Sequence, residues 1–255
     1  MDLAVDPHRR LIDALLAFGD LKVWSVLVTI FGDLAPARGS FLPGTFLTGL
    51  TSDLGIRPEA QRVALHRLRK DGWIDVEKDG RVSLYALSAL ARRETRAVQS
   101  RVFDAHVPRP ETVTLIVEAP GGPHAARANW LPLGSGVFLS DGPVAPEAGL
   151  LISPVAVADL PDWARRAAIS DDIQVTYGAL TDLLATDPAI EALSESKRLA
   201  LRVLILHRWR RLVLSHSRSA SHVMGPDWIG NPCRTNVQRW LHDLPRPSRG
   251  AIEAH

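Results

Sequence analysis

The chain has 255 residues, 46% of them hydrophobic and 23% charged, with a net charge of +2 and one cysteine. That length accommodates one large domain or two to three small ones, each with a real core. A lone Cys233 forms no internal disulfide, and the opening residues carry no signal-peptide pattern, so a cytosolic protein is expected. With so small a net charge, any polyanionic partner must be met by a local patch and not by the field of the whole molecule.

In chain order, apolar spacing predicts helices over 8–17 and 21–33, broken at Gly19-Asp20, and then a loop rich in Pro and Gly. Thr45 is expected to cap a short helix with Phe46, Leu47, Leu50 and Leu54 on its core face, and Gly55 takes the left-handed position after it. Pro58 suits the first turn of the next helix, where its missing N–H is not needed. On that helix, 57–71, Ala60, Val63, Ala64, Leu65 and Leu68 form an apolar arc, and Arg62, His66 and Arg69 share the opposite side with Glu59 and Lys70 beside them. "WIDVEKDGRVSLYAL" then alternates and turns at Asp79-Gly80, which places Lys78 and Arg81 at the tip of a two-stranded wing. A helix is expected over 88–103.

This helix, turn, helix and wing is shaped and charged for DNA. Arg62 and Gln61, near the helix N-terminus, are the expected base contacts. Arg57, Lys70, Lys78 and Arg81 are expected at phosphates, with His66 and Arg69 completing the cationic face.

From about 110 the pattern reads strand, helix, strand, strand, helix, strand, ending on "IQVTY" (173–177). That order, βαββαβ, implies a ferredoxin-like domain. The expected fold is α+β with three domains: a winged helix-turn-helix with linker helix over 1–106, a ferredoxin-like domain over 107–178 and a helical domain over 179–255. The final residues, "PRPSRGAIEAH", read as a loose tail. In "RLALRVLILHRWRRLVL" (198–214), Arg198, Arg202, Arg208, Arg210 and Arg211 sit on a helix that is apolar nearly all round. Two readings stay open, internal pairing with carboxylates or binding of an anionic ligand.

No G-x-S-x-G, H-E-x-x-H, Walker or Rossmann pattern is present, which leans away from an enzyme and from any cofactor or metal. The competing reading is a metal-dependent nuclease using Glu118 in the central domain, disfavoured because one carboxylate makes a poor Mg²⁺ site. A non-enzymatic protein-interaction module is the third.

"SVLVTIFGDL", "QRVALHRLRKDGWIDVEKDGRVSLYALS", "LILHRWRRLVL" and "GPDWIG", in this order, resemble the PaaX family of bacterial transcriptional repressors along nearly the whole chain. The resemblance implies a homodimeric repressor of a catabolic operon that binds operator DNA and is released by an acyl-coenzyme A effector. It maps Arg62, Leu65, Arg67, Leu68, Gly72 and Trp73 onto the family's recognition-helix motif. His207, Arg210, Arg211, Asp227, Trp228 and Gly230 fall on its C-terminal motif; of these His207, Arg210 and Arg211, together with Arg202 from the arginine cluster, are the expected effector contacts. Where relatives follow the Arg pair with Asp-Pro, this chain has His216-Ser217, which bears on the effector more than on the fold.

Overall fold

The computed structural model describes residues 7–106, 110–122, 130–186, 190–225 and 227–253. They form an α+β structure with two small antiparallel sheets. The chain divides into two compact units, 1–104 with 183–211 and 236–255, and 105–182 with 212–235.

The first unit opens with α1 (Pro7–Ala17) and α2 (Val23–Leu34). Leu15, Leu27, Ile30 and Phe31 from these helices are fully buried. The short strand β1 (Leu42–Pro43) leads directly into α3 (Gly44–Asp53). Pro43, and not Thr45, occupies the cap position, and no side chain caps the helix. Gly55 does turn left-handed, at φ +71°, and lets the chain reverse into α4 (Pro58–Lys70), with Pro58 in the first turn as expected.

Next come β2 (Ile74–Asp79) and β3 (Val82–Leu87), paired from Ile74↔Leu87 to Asp79↔Val82. This register makes Gly80-Arg81 the two-residue loop, one position later than expected, with Gly80 at φ +57°. β1 pairs with the other edge of β3 and completes a three-stranded sheet of order β1-β3-β2. Ser88 caps α5 (Ala89–Phe103) by accepting from Ala91 N, and its own hydroxyl donates to Gly72 O, which ties the end of the hairpin to the end of α4.

The second unit holds β4 (Thr112–Glu118), β5 (Leu131–Gly134), β6 (Val137–Ser140) and β7 (Leu150–Ala156), in sheet order β5-β6-β4-β7 with every pairing antiparallel. The βαββαβ reading needs correction here. Residues 173–177, expected as the last strand, lie inside α7 (Asp171–Ala185). "LPLG" is a strand that alternation did not flag. The helix expected over 124–131 falls, for 124–129, outside the described residues. The other expected helix is present as α6 (Asp162–Ala168), but it follows the fourth strand of the sheet and does not precede it.

The remaining helices are α8 (Glu195–Val213), α9 (Arg218–Val223), α10 (Gly230–Asp243) and α11 (Arg249–Glu253). Trp209 of α8 is fully buried in the first unit and its indole N–H donates to Val102 O at 2.8 Å. The tail is not loose as far as residue 253: Ile252 of α11 is buried and Arg246 Nε donates to Asp33 Oδ1 at 2.8 Å. No helix among the described residues is long and apolar enough to cross a membrane.

Candidate nucleic-acid interface

The α3–α4 pair is held by packing and by one internal hydrogen bond. Leu47 and Leu50 of α3 and Ala64, Leu65 and Leu68 of α4 are buried. Between them, Thr51 Oγ1 donates to Leu47 O at 2.8 Å and lies 3.0 Å from the side-chain amide of Gln61. Gln61 is only 3% exposed, so it cannot reach a base edge. The expectation that it reads DNA is corrected: its amide is consumed in fixing the crossing of the two helices, because a buried amide without a partner costs about 1–3 kcal/mol.

The cationic face itself is present. Arg57, Arg62, His66, Arg69 and Lys70 of the α4 region are exposed, and so are Lys78 and Arg81 on the hairpin. Arg62 is not a bare cation: its Nη2 donates to Glu59 Oε1 at 2.9 Å, both side chains standing in solvent. An exposed pair at i, i+3 is worth little in stability but holds the guanidinium over the first turn of α4. Arg67 lies 3.6 Å from Asp71 at the helix end. Val63, expected in the apolar arc, is 70% exposed. The buried arc is thus displaced toward Gln61 and away from Val63, a shift that hydrophobicity alone argues against.

The cluster on α8 resolves differently. Arg202 is 4% exposed and makes four hydrogen bonds: Nε and Nη2 to the two oxygens of Asp33, and Nη1 to Leu241 O and Leu244 O. Arg208, also buried, donates to Leu15 O, Leu16 O and Asp20 O, and the exposed Arg211 donates to Asp20 O at 2.7 Å. Arg208 thus closes carbonyls at the end of α1, and both arginines hold the carbonyl of Asp20 in the loop after it. Arg210 is half-buried, and burial lowers its pKa.

His207 is fully buried. Thr29 Oγ1 donates to Ser25 O at 3.0 Å, so its one proton is committed, and His207 Nδ1, 3.1 Å away, is the donor to it. Nε2 is then an unprotonated lone pair with no hydrogen bond among the described residues. Burial first, and then the charges of Arg208, Arg211 and Arg210, push His207 down to about 3, so the ring is neutral. Arg202 and His207 are therefore internal groups and not open contacts for a ligand, a correction to the expected effector set.

In the second unit, Asp141 Oδ1 accepts from Ser219 Oγ at 2.7 Å and its Oδ2 lies 2.6 Å from His222 Nδ1. The close approach of the His222 imidazole is the main reason the Asp141 carboxyl is lowered to about 2. Tyr177, His216 and Trp228 pack as an aromatic cluster beside α9, with the Tyr177 hydroxyl 2.8 Å from His216 Nε2. Asp227 is exposed, and Gly230 begins α10 against the Trp228 ring. Glu118, at the end of β4, pairs in register with Leu150. Among the described residues no three His, Cys, Asp or Glu side chains gather at metal-binding spacing.

The resemblance to the PaaX family holds. The family model described as PaaX-like protein matches residues 22–91, which run from the start of α2 through α4 and the hairpin into α5. The chain is 24% identical over 243 residues to the transcriptional repressor PaaX of Escherichia coli (strain K12), covering 82% of this chain and 76% of that protein. Among solved structures, an uncharacterized protein from Mycobacterium tuberculosis matches with a TM-score of 0.58 and 17% identity over 92% of this chain and all of that one, a likeness of fold.

Proposed function

We propose that this protein is a DNA-binding transcriptional repressor whose reading head is a winged helix-turn-helix built from α3, α4 and the β2–β3 hairpin. The single observation that carries the reading is the exposed basic set Arg57, Arg62, His66, Arg69 and Lys70 on one helix with Lys78 and Arg81 on the adjoining hairpin. A helix of 13 residues backed by a buried apolar arc fits a major groove, and a hairpin at its end reaches neighbouring phosphates. The similarity to a curated repressor supports the same reading. A homodimer, matched to a two-fold operator, follows from the resemblance.

The repressor's proposed signal is an acyl-coenzyme A from the pathway of the catabolic operon it controls, again on the resemblance. Of the four residues expected to receive it, Arg210 and Arg211 keep access to solvent, so a phosphate-bearing ligand would have to use these two. The proposed layout keeps the winged helix and its linker in 1–106, with the regions 107–178 and 179–255 serving sensing and assembly. Nothing favours the nuclease or the interaction-module readings over this one.

The test is duplex binding as a function of salt. Wild type should bind with log affinity falling linearly in log salt. Arg69→Glu with Lys70→Glu should abolish binding while circular dichroism shows the fold retained. Absence of duplex binding even at low salt would sink the proposal.

A further inference from the structure

Val63 stands on the outward face of α4 in a place that nothing in folding explains. Counting at 3.6 residues per turn, its neighbours one turn away are Glu59, Ala60, His66 and Arg67, so it stands where the charged face of α4 meets an apolar groove that it lines with Ala60, Ala64, Val23 and Trp24. Its own exposure is 70%, on the same helix that buries the polar Gln61 at 3%. So exposed an aliphatic side chain gains nothing from water and adds little to the core. It does gain from an apolar group brought to it. The major groove offers one such group at base level, the 5-methyl of thymine.

We infer that Val63 is a base-reading residue that selects thymine at one position of the recognised sequence by contact with its 5-methyl group. This rests on the DNA-binding reading above and deepens it, because it names a specificity determinant in addition to the basic residues. The side chain suits such a contact, since valine is branched at Cβ and stiff at χ1 and loses little rotamer freedom on meeting a methyl group. The flanking Arg62, held by Glu59 at 2.9 Å, leaves the Val63 surface uncovered instead of folding across it. Beside Val63 a shallow groove of about 460 Å³ runs between α2 and α4, with Trp24, 41% exposed, on its far wall. That neighbour supplies the control: a protein-docking face would need both residues, whereas a thymine contact needs Val63.

The experiment begins by selecting bound duplexes from a random pool with the full-length wild-type chain, followed by replacing each thymine of the selected site with uracil, which removes the methyl group alone. One thymine should lose about fourfold in affinity on this change, as ~0.8 kcal/mol for one buried carbon at about 1.4 kcal/mol per tenfold requires. Val63→Ala, whose single methyl reaches less far, should lose most of the response to that same replacement and discriminate less against cytosine there, while Trp24→Ala keeps the wild-type response. The inference is overturned if no thymine-to-uracil change separates wild type from Val63→Ala. It is equally overturned if Trp24→Ala and Val63→Ala lower affinity alike without altering base preference, the mark of a protein-docking patch. In either case binding itself, and its dependence on Arg62, would leave the repressor reading standing. Failure of the wild-type chain to select any duplex would instead remove both.

Discussion

Arg202 grips Asp33 with two parallel hydrogen bonds, Nε to Oδ2 at 2.7 Å and Nη2 to Oδ1 at 2.9 Å, between residues 169 apart in the chain and both nearly inaccessible to water. Arg246 approaches the same carboxylate from a half-exposed position. Breaking a buried pair from one side strands a charge, whereas an exposed pair is worth little. Arg202→Met should therefore cost about 3–5 kcal/mol in urea unfolding, and Arg246→Met about 1 kcal/mol or less. Equal losses for the two would refute this division of roles.

On the DNA side, helix and wing should separate by phenotype. Arg62→Ala should lower discrimination between selected and random duplex by about 1–3 kcal/mol, as expected for a base-edge contact. Arg81→Ala, on the hairpin loop, should weaken both duplexes alike and flatten the salt slope by about one phosphate contact. Gln61→Leu should alter stability and leave base preference as it was. Identical binding profiles for the arginine variants would count against the assignment.

His207 makes stability depend on pH. Its pKa lies at about 3 in the folded chain against an ordinary 6.5, so between those values the unfolded chain binds more protons. Stability should thus fall as pH drops from 6.5 toward 3, with a contribution of at most about 1.4 kcal/mol per pH unit. His207→Leu removes this component, and Thr29 still donates to Ser25 O in its absence. The gap in unfolding free energy between wild type and variant should narrow on acidification. Parallel stability curves would show that His207 does not titrate in this way.

Gly230 is fixed by its neighbour and not by its backbone angles. A Cβ there would lie 2.5 Å from the Trp228 ring, which itself packs edge-on against Tyr177 at a centroid distance of 5.1 Å. Gly230→Ala should cost about 1–3 kcal/mol through this overlap. In a Trp228→Ala background the same change should be close to neutral. A full cost in both backgrounds would place the strain elsewhere.

How much of this was legible in the chain differs by element. Pro58, Gly55 and the alternating run through 74–87 act within a few residues of themselves, so α4, its turn and the hairpin, to within one residue at its loop, could be read directly, whereas Ser88, read as the first helical residue, is the cap of α5. The basic residues of α4 and the hairpin were legible for the same reason, since a helix or strand face follows from spacing alone. Spacing does not say which of two adjacent arcs turns inward. Gln61 went inside and Val63 outside because Thr51, on another helix, supplied the amide with a partner. Residues 173–177 carry a strand-like composition, yet they lie within a 15-residue helix, where helical packing overrides a weak local preference. The arginines of α8 show the limit most clearly. Their number and spacing announce charge in an apolar helix, but only the tertiary structure brings Asp33, Asp20 and the carbonyls of α1 and α10 to them, because charge neutralisation acts through space over separations that local sequence does not encode.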